Sequence, residues 1–270
     1  MSATCFEVLF VGSGKASVMN DLIPGIIHVH SSFSSDGFCS VAELADLARG
    51  RGYDFLALTD HAEDLSSEDI KNLERECEKH SDEFCVIIPG LEFQCRGGIH
   101  ILGLGFTEHI PSREPVAVAT QIEAGSGLAI LAHPSRSHYQ CPPELFGVLS
   151  GIEIWNAAYD GRFVPSPASL RLLQKARNSN PAISGFGGAD LHGLHRPPGV
   201  TLQLRVRGGD GISARMILQS LRSGAFAVRG RYIGLDAHGV HDWLTWSFLC
   251  VFRKSYELAT AIRDIASGRA

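Results

Sequence analysis

The sequence predicts an α/β protein whose strands are mainly parallel and close into a barrel. Short apolar runs alternate with helical patterns along most of the 270 residues, which is the pattern of βαβ units. The runs are apolar throughout rather than at every second position, as expected for strands that are covered on both faces. With about seven such units, closure into a barrel is favoured over an open sheet.

The elements follow one another in a regular order. The first run, IIHVH (26–30), precedes a helix that begins with the capping signature of Ser40 and Glu43 and ends near Gly52. The further apolar runs are YDFLALTDH, FCVIIPGLEF, IHILGLGF, GLAILAHP, GIEIWN, PAISGFGGADLHG, VTLQLRV and AFAVRGRY. Helical patterns lie at about 67–80 and 115–124, in PPELFGVL, SLRLLQKARN and SARMILQSLRSG, and in a final segment. The pair Gly97 and Gly98 predicts a hairpin turn rather than a phosphate-binding loop.

Composition limits the class of protein. A hydrophobic fraction of 44% with 20% charged residues is ordinary for a soluble globular protein. The seven cysteines form no C-x-x-C pair, which favours free thiols in a reducing compartment. No apolar run is long enough to span a bilayer, and the N-terminus lacks the basic region of a signal peptide. We therefore expect a cytoplasmic protein without a membrane partner. The run WLTWSFLCVF (243–252) fits a core element better than a docking surface.

The charge is distributed unevenly along the chain. Residues 191–270 hold 11 Lys or Arg against 5 Asp or Glu, although the whole chain has a net charge of −5. One reading is a carboxylate-rich site that binds cations beside a basic segment that holds an anionic substrate. Ordinary solvated faces are the alternative.

Histidines and carboxylates recur at the ends of the apolar runs. They are His28, His30, Asp60, His61, Glu92, His133, Asp190 and His192. A buried polar group without a partner costs a few kcal/mol, and a divalent metal is the simplest partner for such a set. Because the carboxyl ends of barrel strands meet at one rim, the predicted fold brings these residues together.

The ordered motifs HVH, SSDG, TDH, GLE, HILG, AHP and GADLHG resemble those of the PHP (polymerase and histidinol phosphatase) family of metal-dependent phosphoesterases. The resemblance implies a distorted (β/α)7 TIM-like barrel. We expect this barrel at 25–231, with an N-terminal extension at 1–24 and a C-terminal extension at 232–270 that packs on it.

The resemblance also implies two or three divalent metal ions, such as Zn, Mn or Fe, held by nine side chains. The first metal would take His28, His30, Glu92 and Asp190, the second Glu92, His100 and His133, and the third Asp36, His61 and His192. Glu92 would bridge two ions, and a shared hydroxide would attack phosphorus. Glu92, Asp190 and His192 are therefore the predicted catalytic residues.

One position departs from the family pattern. Many members have an acid two residues before the first histidine, in D-x-H-x-H, where this chain has Ile26. Such an acid would orient an imidazole, so another acceptor is needed here. Asp60 is expected to hold an imidazole, with a surface or capping role as the alternative.

Six residues near the ligand motifs are predicted to contact substrate. Arg136 and Arg196 follow ligand motifs directly and are expected to bind phosphate oxygens. His138 and His195 are candidates to protonate a leaving oxygen. Trp155 and Asn156, at the end of GIEIWN, are expected to line the pocket, with core packing as the alternative for Trp155.

These residues predict an enzyme, a metal-dependent hydrolase of phosphoester bonds. The first reading is hydrolysis of a phosphomonoester of a small metabolite or nucleotide. The second is a phosphodiesterase or exonuclease on short oligonucleotides, because the basic segment suits a phosphate backbone. The third is a non-catalytic, metal-stabilised module that binds a partner through WLTWSF, although no protein partner is evident.

Overall fold

The computed structural model describes residues 20–195, 198–207, 212–239 and 243–266. Within these ranges the chain forms twelve strands in two six-stranded sheets, together with six α-helices. The strands are β1 (Asn20–Val29), β2 (Phe55–Leu58), β3 (Asp60–His61), β4 (Val86–Ile88), β5 (Gly90–Gln94), β6 (His100–Leu104), β7 (Leu128–Ala132), β8 (Gly151–Asn156), β9 (Ser184–Gly188), β10 (Thr201–Arg207), β11 (Phe226–Arg229) and β12 (Gly234–Asp236). The helices are α1 (Val41–Gly50), α2 (Ser67–His80), α3 (Pro115–Ala124), α4 (Pro167–Ser179), α5 (Ala214–Arg222) and α6 (Trp243–Ala266).

The first sheet has the order β12-β11-β10-β1-β2-β4 and the second has the order β3-β5-β6-β7-β8-β9. In the first, β1, β2 and β4 are parallel, whereas β10, β11 and β12 join them through antiparallel pairs. In the second, β6 pairs antiparallel with both β5 and β7, and the other pairs are parallel. The sheets are therefore mixed, not wholly parallel.

The two sheets meet where the chain passes from one to the other. Only Thr59 separates β2 from β3, and only Pro89 separates β4 from β5. A Cβ on Gly90 would lie 2.5 Å from the carbonyl oxygen of Gly103, so the crossing requires glycine. On the other side, the Ala189 amide donates to the carbonyl oxygen of Ile27 at 2.9 Å. The last contact places the carboxyl end of β1 beside that of β9, and the short links set β3 and β5 directly after β2 and β4.

The predicted α/β class is confirmed, but a closed barrel is not: both sheets are open. The prediction of parallel strands is wrong for β6 and for β10 to β12. The turn Arg96–Gly98 joins β5 to β6 in a few residues, which allows a hairpin but not a parallel crossover. The hairpin itself follows the prediction from Gly97 and Gly98.

The helices begin where the sequence provides caps. Ser40 and Glu43 form the predicted capping box of α1, and Ser66 with Asp69 forms another at α2. Their apolar faces cover the sheets and share one core, whose largest fully buried side chains include Phe55, Phe186 and Phe226. The six cysteines in the described ranges are free, as predicted.

The expectation that WLTWSFLCVF is a core element is wrong. The run begins α6, in which Leu249 is buried but Leu244 is 72% exposed and Phe248 56% exposed. An apolar run on one helix cannot bury all sides against a single neighbouring surface. No helix in the described ranges is long and apolar enough to cross a membrane.

The boundaries of the proposed terminal extensions stay a prediction. Residues Asn20–Gly25 of β1 already pair with Leu202–Arg207 of β10. The strand β12 extends the first sheet beyond residue 231. From α6, Arg253 donates to the carbonyl oxygen of Asp160 at 2.7 Å, which fixes this helix against the loop after β8.

Candidate metal centre

Nine histidine and carboxylate side chains converge at the edge where the strands of both sheets end. They are His28, His30, Asp36, His61, Glu92, His100, His133, Asp190 and His192, called here the histidine–carboxylate cluster. His100 opens an antiparallel strand, so the start of β6 lies beside the end of β5. Seven of the nine line a cleft of about 270 Å³, and His28 and His30 are fully buried. These are the nine positions that the resemblance carried over.

Glu92 is the centre of the cluster. It is 1% exposed, and its Oε1 lies 2.7 Å from His100 Nδ1 and 3.1 Å from His133 Nε2. Its Oε2 lies 3.4 to 3.5 Å from the nearest ring nitrogens of His28, His30 and His61. Burial alone would raise the pKa of Glu92, but His28 and the hydrogen bonds from His100 and His133 hold it well below its ordinary value. A buried carboxylate with both oxygens facing imidazoles suits a position between two cations.

A bulge at the end of β1 allows two histidines of one strand to enter the site. The pairing of β1 with β2 shifts register between Ile26 and Val29, and His28 has a φ of 62°. His133 and Asp190 also have positive φ, at 22° and 47°. Positive φ is unfavourable for residues with a Cβ and is typical of functional sites. These residues therefore leave their strands in strained conformations.

Asp36 lies between two histidines at the exposed side of the cluster. Its Oδ2 is 3.2 Å from His61 Nε2 and 3.0 Å from His192 Nε2. The loop that carries it is tightly folded, because a Cβ on Gly37 would lie 1.9 Å from the carbonyl oxygen of Ser31. Glycine at position 37 thus places Asp36 over the cluster.

Asp60 orders this loop and does not hold an imidazole. Its buried carboxylate accepts hydrogen bonds from the backbone amides and hydroxyls of Ser31 and Ser34, at 2.7 to 3.2 Å. The Ser34 hydroxyl in turn accepts from the amide of His61 at 2.8 Å. Asp60 therefore holds the loop between His30 and Asp36 in place and does not make the expected contact with an imidazole.

Glu153 is the functional residue that the sequence reasoning missed. It is fully buried in β8, its Oε1 lies 2.7 Å from His28 Nδ1, and its Oε2 accepts from the His133 amide at 2.7 Å. It supplies the acceptor that Ile26 cannot. Burial of both groups opposes their charged forms. The contact between Glu153 and His28 nevertheless holds the pKa of Glu153 below its ordinary value and the pKa of His28 well above its ordinary value. The available signal was a lone carboxylate within the apolar run GIEIWN.

The cluster fits divalent metal ions. Buried ring nitrogens of four histidines have no hydrogen-bond partner among the described residues: His28 Nε2, both nitrogens of His30, His100 Nε2 and His133 Nδ1. Ligand atoms at about 2.0–2.2 Å from one ion lie about 3 to 3.5 Å apart, which is the range of most separations here. Three sets have donor atoms close enough to share an ion: His28, His30 and Asp190; His28, Glu92 and His133; and His30, Asp36, His61 and His192.

These sets differ in detail from the expected ligand groups. The triad of Asp36, His61 and His192 lies together as expected, with His30 added. His28 can reach both Asp190 and Glu92, whereas the carboxylate that His100 contacts is Glu92. The assignment of each ligand to an ion remains a proposal.

The predicted substrate residues are distributed over three places. Arg136 lines the cleft and donates to the Tyr159 hydroxyl, whose ring packs on His133. His195 lines a smaller hollow next to the cleft, formed also by Ala157, Ala158, Asp190 and His192 and called here the side hollow. His138 is exposed and lines neither, and Arg196 is outside the described residues.

Trp155 and Asn156 support the site from beneath. Trp155 is fully buried and donates from Nε1 to the carbonyl oxygen of Gly161 at 2.7 Å. Asn156 donates to Glu153 and accepts from the amides of Ala158 and Tyr159. The structure therefore places both residues in the core and not on the pocket wall.

An α/β fold with buried histidines and carboxylates gathered at its strand ends defines a metal-dependent hydrolase. The PHP domain family model matches residues 27–177, more than half of the chain. The chain belongs to the PHP domain family, whose members are metal-dependent phosphoesterases. The matched range includes the cluster from His28 to His133, whereas Asp190 and His192 lie beyond it.

Two solved structures have similar folds. A two-domain protein from Bacteroides vulgatus ATCC 8482, which contains a predicted PHP-like metal-dependent phosphoesterase, is 18% identical with a TM-score of 0.59; the match covers 80% of this chain and 67% of that one. Endonuclease Q, in complex with a 27-mer duplex substrate with an abasic lesion, is 16% identical with a TM-score of 0.53; the match covers 75% of this chain and 57% of that one. No curated protein matched the sequence significantly.

Proposed function

We propose that the protein hydrolyses a phosphomonoester of a small metabolite or nucleotide at the histidine–carboxylate cluster. The observation that carries this proposal is the Glu92-centred floor of a cleft of about 270 Å³, with the arginine Arg136 at its edge. A cleft of this size suits a small substrate. The nine positions of the cluster are the proposed ligands of two or three ions.

Bound divalent ions would supply Lewis-acid chemistry and activate water for attack on phosphorus. The protein's own contribution is to hold the donors in place. Glu153 orients His28, and Asp60 orders the loop before Asp36. These buried contacts fix the donors before substrate arrives, which lowers the cost of reorganisation during the reaction.

Arg136 is the proposed contact to the non-reacting phosphate oxygens. Its Nη1 lies 3.3 Å from the Tyr159 hydroxyl, and both side chains face the cleft. A guanidinium presents paired donors that match a phosphate group. His195, in the side hollow, is the proposed donor of a proton to the leaving oxygen.

Phosphodiester hydrolysis on short oligonucleotides is the second candidate. It is favoured by the side hollow, which shares Ala158, Asp190 and His192 with the cleft and so extends it in one direction. A chain of nucleotides requires such a continuous path, whereas a small monoester does not.

The test is product analysis with metal-reconstituted protein on phosphomonoesters, nucleotides and short oligonucleotides. Asp190→Asn should lose bound metal and phosphate release together. Asp46→Asn is the matched control, because the side chain of Asp46 is 82% exposed on α1. Release of mononucleotides from oligomers would promote the second candidate. Full activity in Asp190→Asn would exclude the proposed role of the cluster.

A further inference from the structure

A second cleft of about 270 Å³ lies outside the histidine–carboxylate cluster. It is called here the arginine cleft and is lined by Arg162, Arg229 and Arg231 with Gly199, Gly230 and Thr201. Arg162 belongs to the loop after β8, whereas Arg229 ends β11 and Arg231 follows it. Three cations from two separate segments thus face one cavity.

No carboxylate neutralises these arginines within the described part of the chain. None of the three has an ion-pair partner there. Arg229 donates from Nε to Gln203 at 3.0 Å, and Arg162 and Arg231 donate no side-chain hydrogen bond to a described residue. Like charges that gather without counter-charges repel one another, and a bound anion relieves that repulsion.

Aromatic rings hold two of the guanidinium groups in place. Arg162 lies 5.2 Å from the centre of the Phe163 ring, and Arg231 lies 5.2 Å from that of Tyr232. The two rings are themselves nearly parallel, at 10° with centres 6.2 Å apart. Stacking of a guanidinium on a ring restricts its rotation while leaving its edge donors free for a ligand.

One buried indole joins the two segments that carry the arginines. Trp155 donates to the carbonyl oxygen of Gly161, next to Arg162. Its ring also lies against Gly230, where a Cβ would be 2.0 Å from Cη2. The core therefore holds the backbone beside all three arginines, while their side chains are exposed to solvent.

The arginine cleft lies next to the side hollow. Gly199 lines the arginine cleft, and a Cβ at this position would lie 3.3 Å from the Cβ of Ala157, which lines the side hollow. The side hollow in turn shares Asp190 and His192 with the cleft over the histidine–carboxylate cluster. The three cavities therefore have neighbouring or shared lining residues, in the order cleft, side hollow and arginine cleft.

We propose that the arginine cleft binds a phosphate group of the substrate other than the one hydrolysed at the cluster, so that the substrate carries at least two phosphates. This inference rests on the proposed function for the hydrolysed phosphate. The second phosphate belongs either to a small bisphosphorylated molecule or to the backbone of a short oligonucleotide. Both present the same anionic oxygens to the arginines.

The test measures binding of non-hydrolysable probes to the full metal-reconstituted chain, with and without the changes Arg162→Gln and Arg231→Gln. The probes are the bisphosphonate analogue of fructose 1,6-bisphosphate, by calorimetry, and fluorescein-labelled phosphorothioate hexathymidylate, by anisotropy. We expect the double arginine change to weaken binding of one probe at least tenfold. Arg215→Gln removes one positive charge, against two in the double variant, from the exposed face of α5 and should change affinity less than twofold.

The outcomes separate the sources of the phosphate. A loss confined to the bisphosphate identifies a small molecule, and a loss confined to hexathymidylate, with a salt dependence reduced by about one unit per arginine, identifies a nucleic-acid backbone. Equal affinities in the parent and the double variant, or no binding of either probe to the parent, overturn the proposal. Because no turnover is needed, failure of wild-type protein to release phosphate would refute the proposed function separately.

Discussion

His28 Nδ1 and Glu153 Oε1 lie 2.7 Å apart, although the two residues are 125 positions apart in the sequence. The contact fixes one ring nitrogen of His28, so that the other, Nε2, faces Glu92 and Asp190. A carboxylate that orients a histidine in this way also makes it a better metal ligand. Glu153 in β8 thus takes the place of the acid that many family members have at the position of Ile26.

Replacing Glu153 by Gln should weaken metal binding about 10- to 100-fold, because a neutral amide orients His28 less firmly and lowers its basicity. The measurement is metal content after dialysis against a graded chelator series. Glu144→Gln, an exposed residue, is the control. Unchanged metal affinity in a variant with a native circular dichroism spectrum would show that the contact is only structural.

Replacing Asp60 by Asn should destabilise the protein by about 2–4 kcal/mol. The side chain accepts from two amides and two hydroxyls, and the NH2 group of asparagine would face donors in a buried position. Urea denaturation measures the change, with Asp46→Asn as the exposed control. A variant as stable as wild type would mean that the serine hydroxyls simply reorient.

Gly37→Ala should disturb the position of Asp36 without removing any ligand. The added Cβ would lie 1.9 Å from a carbonyl oxygen, so the loop must move. We expect loss of the ion that Asp36, His61 and His192 are proposed to bind, while the remaining metal is retained, as measured by elemental analysis. The matched control is Gly50→Ala, where a Cβ meets nothing within 4 Å. Full metal content in Gly37→Ala would contradict the assignment of Asp36.

Asp160 should make stability depend on pH. Burial raises its pKa to about 6, whereas the carboxyl group of the unfolded chain ionises near 4. Between about pH 4 and 6 the folded state therefore holds more protons, so the free energy of unfolding falls as pH rises and stays lower above pH 6. Asp160→Asn should remove this fall. Relative to wild type, the free energy of unfolding of the variant should therefore be about 1–3 kcal/mol higher at pH 7.5 than at pH 4. Urea denaturation of both proteins at pH 4 and pH 7.5 measures the effect. If the free energy of unfolding changes between these pH values by the same amount in Asp160→Asn as in wild type, Asp160 does not cause the pH dependence.

Seven of the nine cluster residues were predictable from the pattern of apolar runs that end in histidine or carboxylate, whereas Asp36 and His100 were implied by the family resemblance. His28, Glu92 and Asp190 need only the rule that strand ends meet at one edge. The strand-end rule does not place His100, because His100 begins its strand and reaches the site only because β6 is antiparallel. The short Arg96–Gly98 turn contained that information, but the direction of an apolar run is not encoded in the run itself.

Other features depended on contacts that no local pattern contains. Glu153 appears in the sequence as one acid in an apolar strand, and its partner is set by the pairing of β7, β8 and β9. The open sheets arise because β10, β11 and β12 add as antiparallel strands beside β1. The arginine cleft likewise depends on Trp155, which brings two distant segments together.

The cluster draws its donors from His28 to His192, and no short stretch within the described residues supplies a complete set. The two sets that contain Asp190 or His192 are complete only after most of the chain has been made, whereas His28, Glu92 and His133 are available earlier. Each set also joins a histidine at the end of β1, in the first sheet, to residues of the second sheet or of the loop after β9. Binding of an ion would therefore couple to the association of the two sheets.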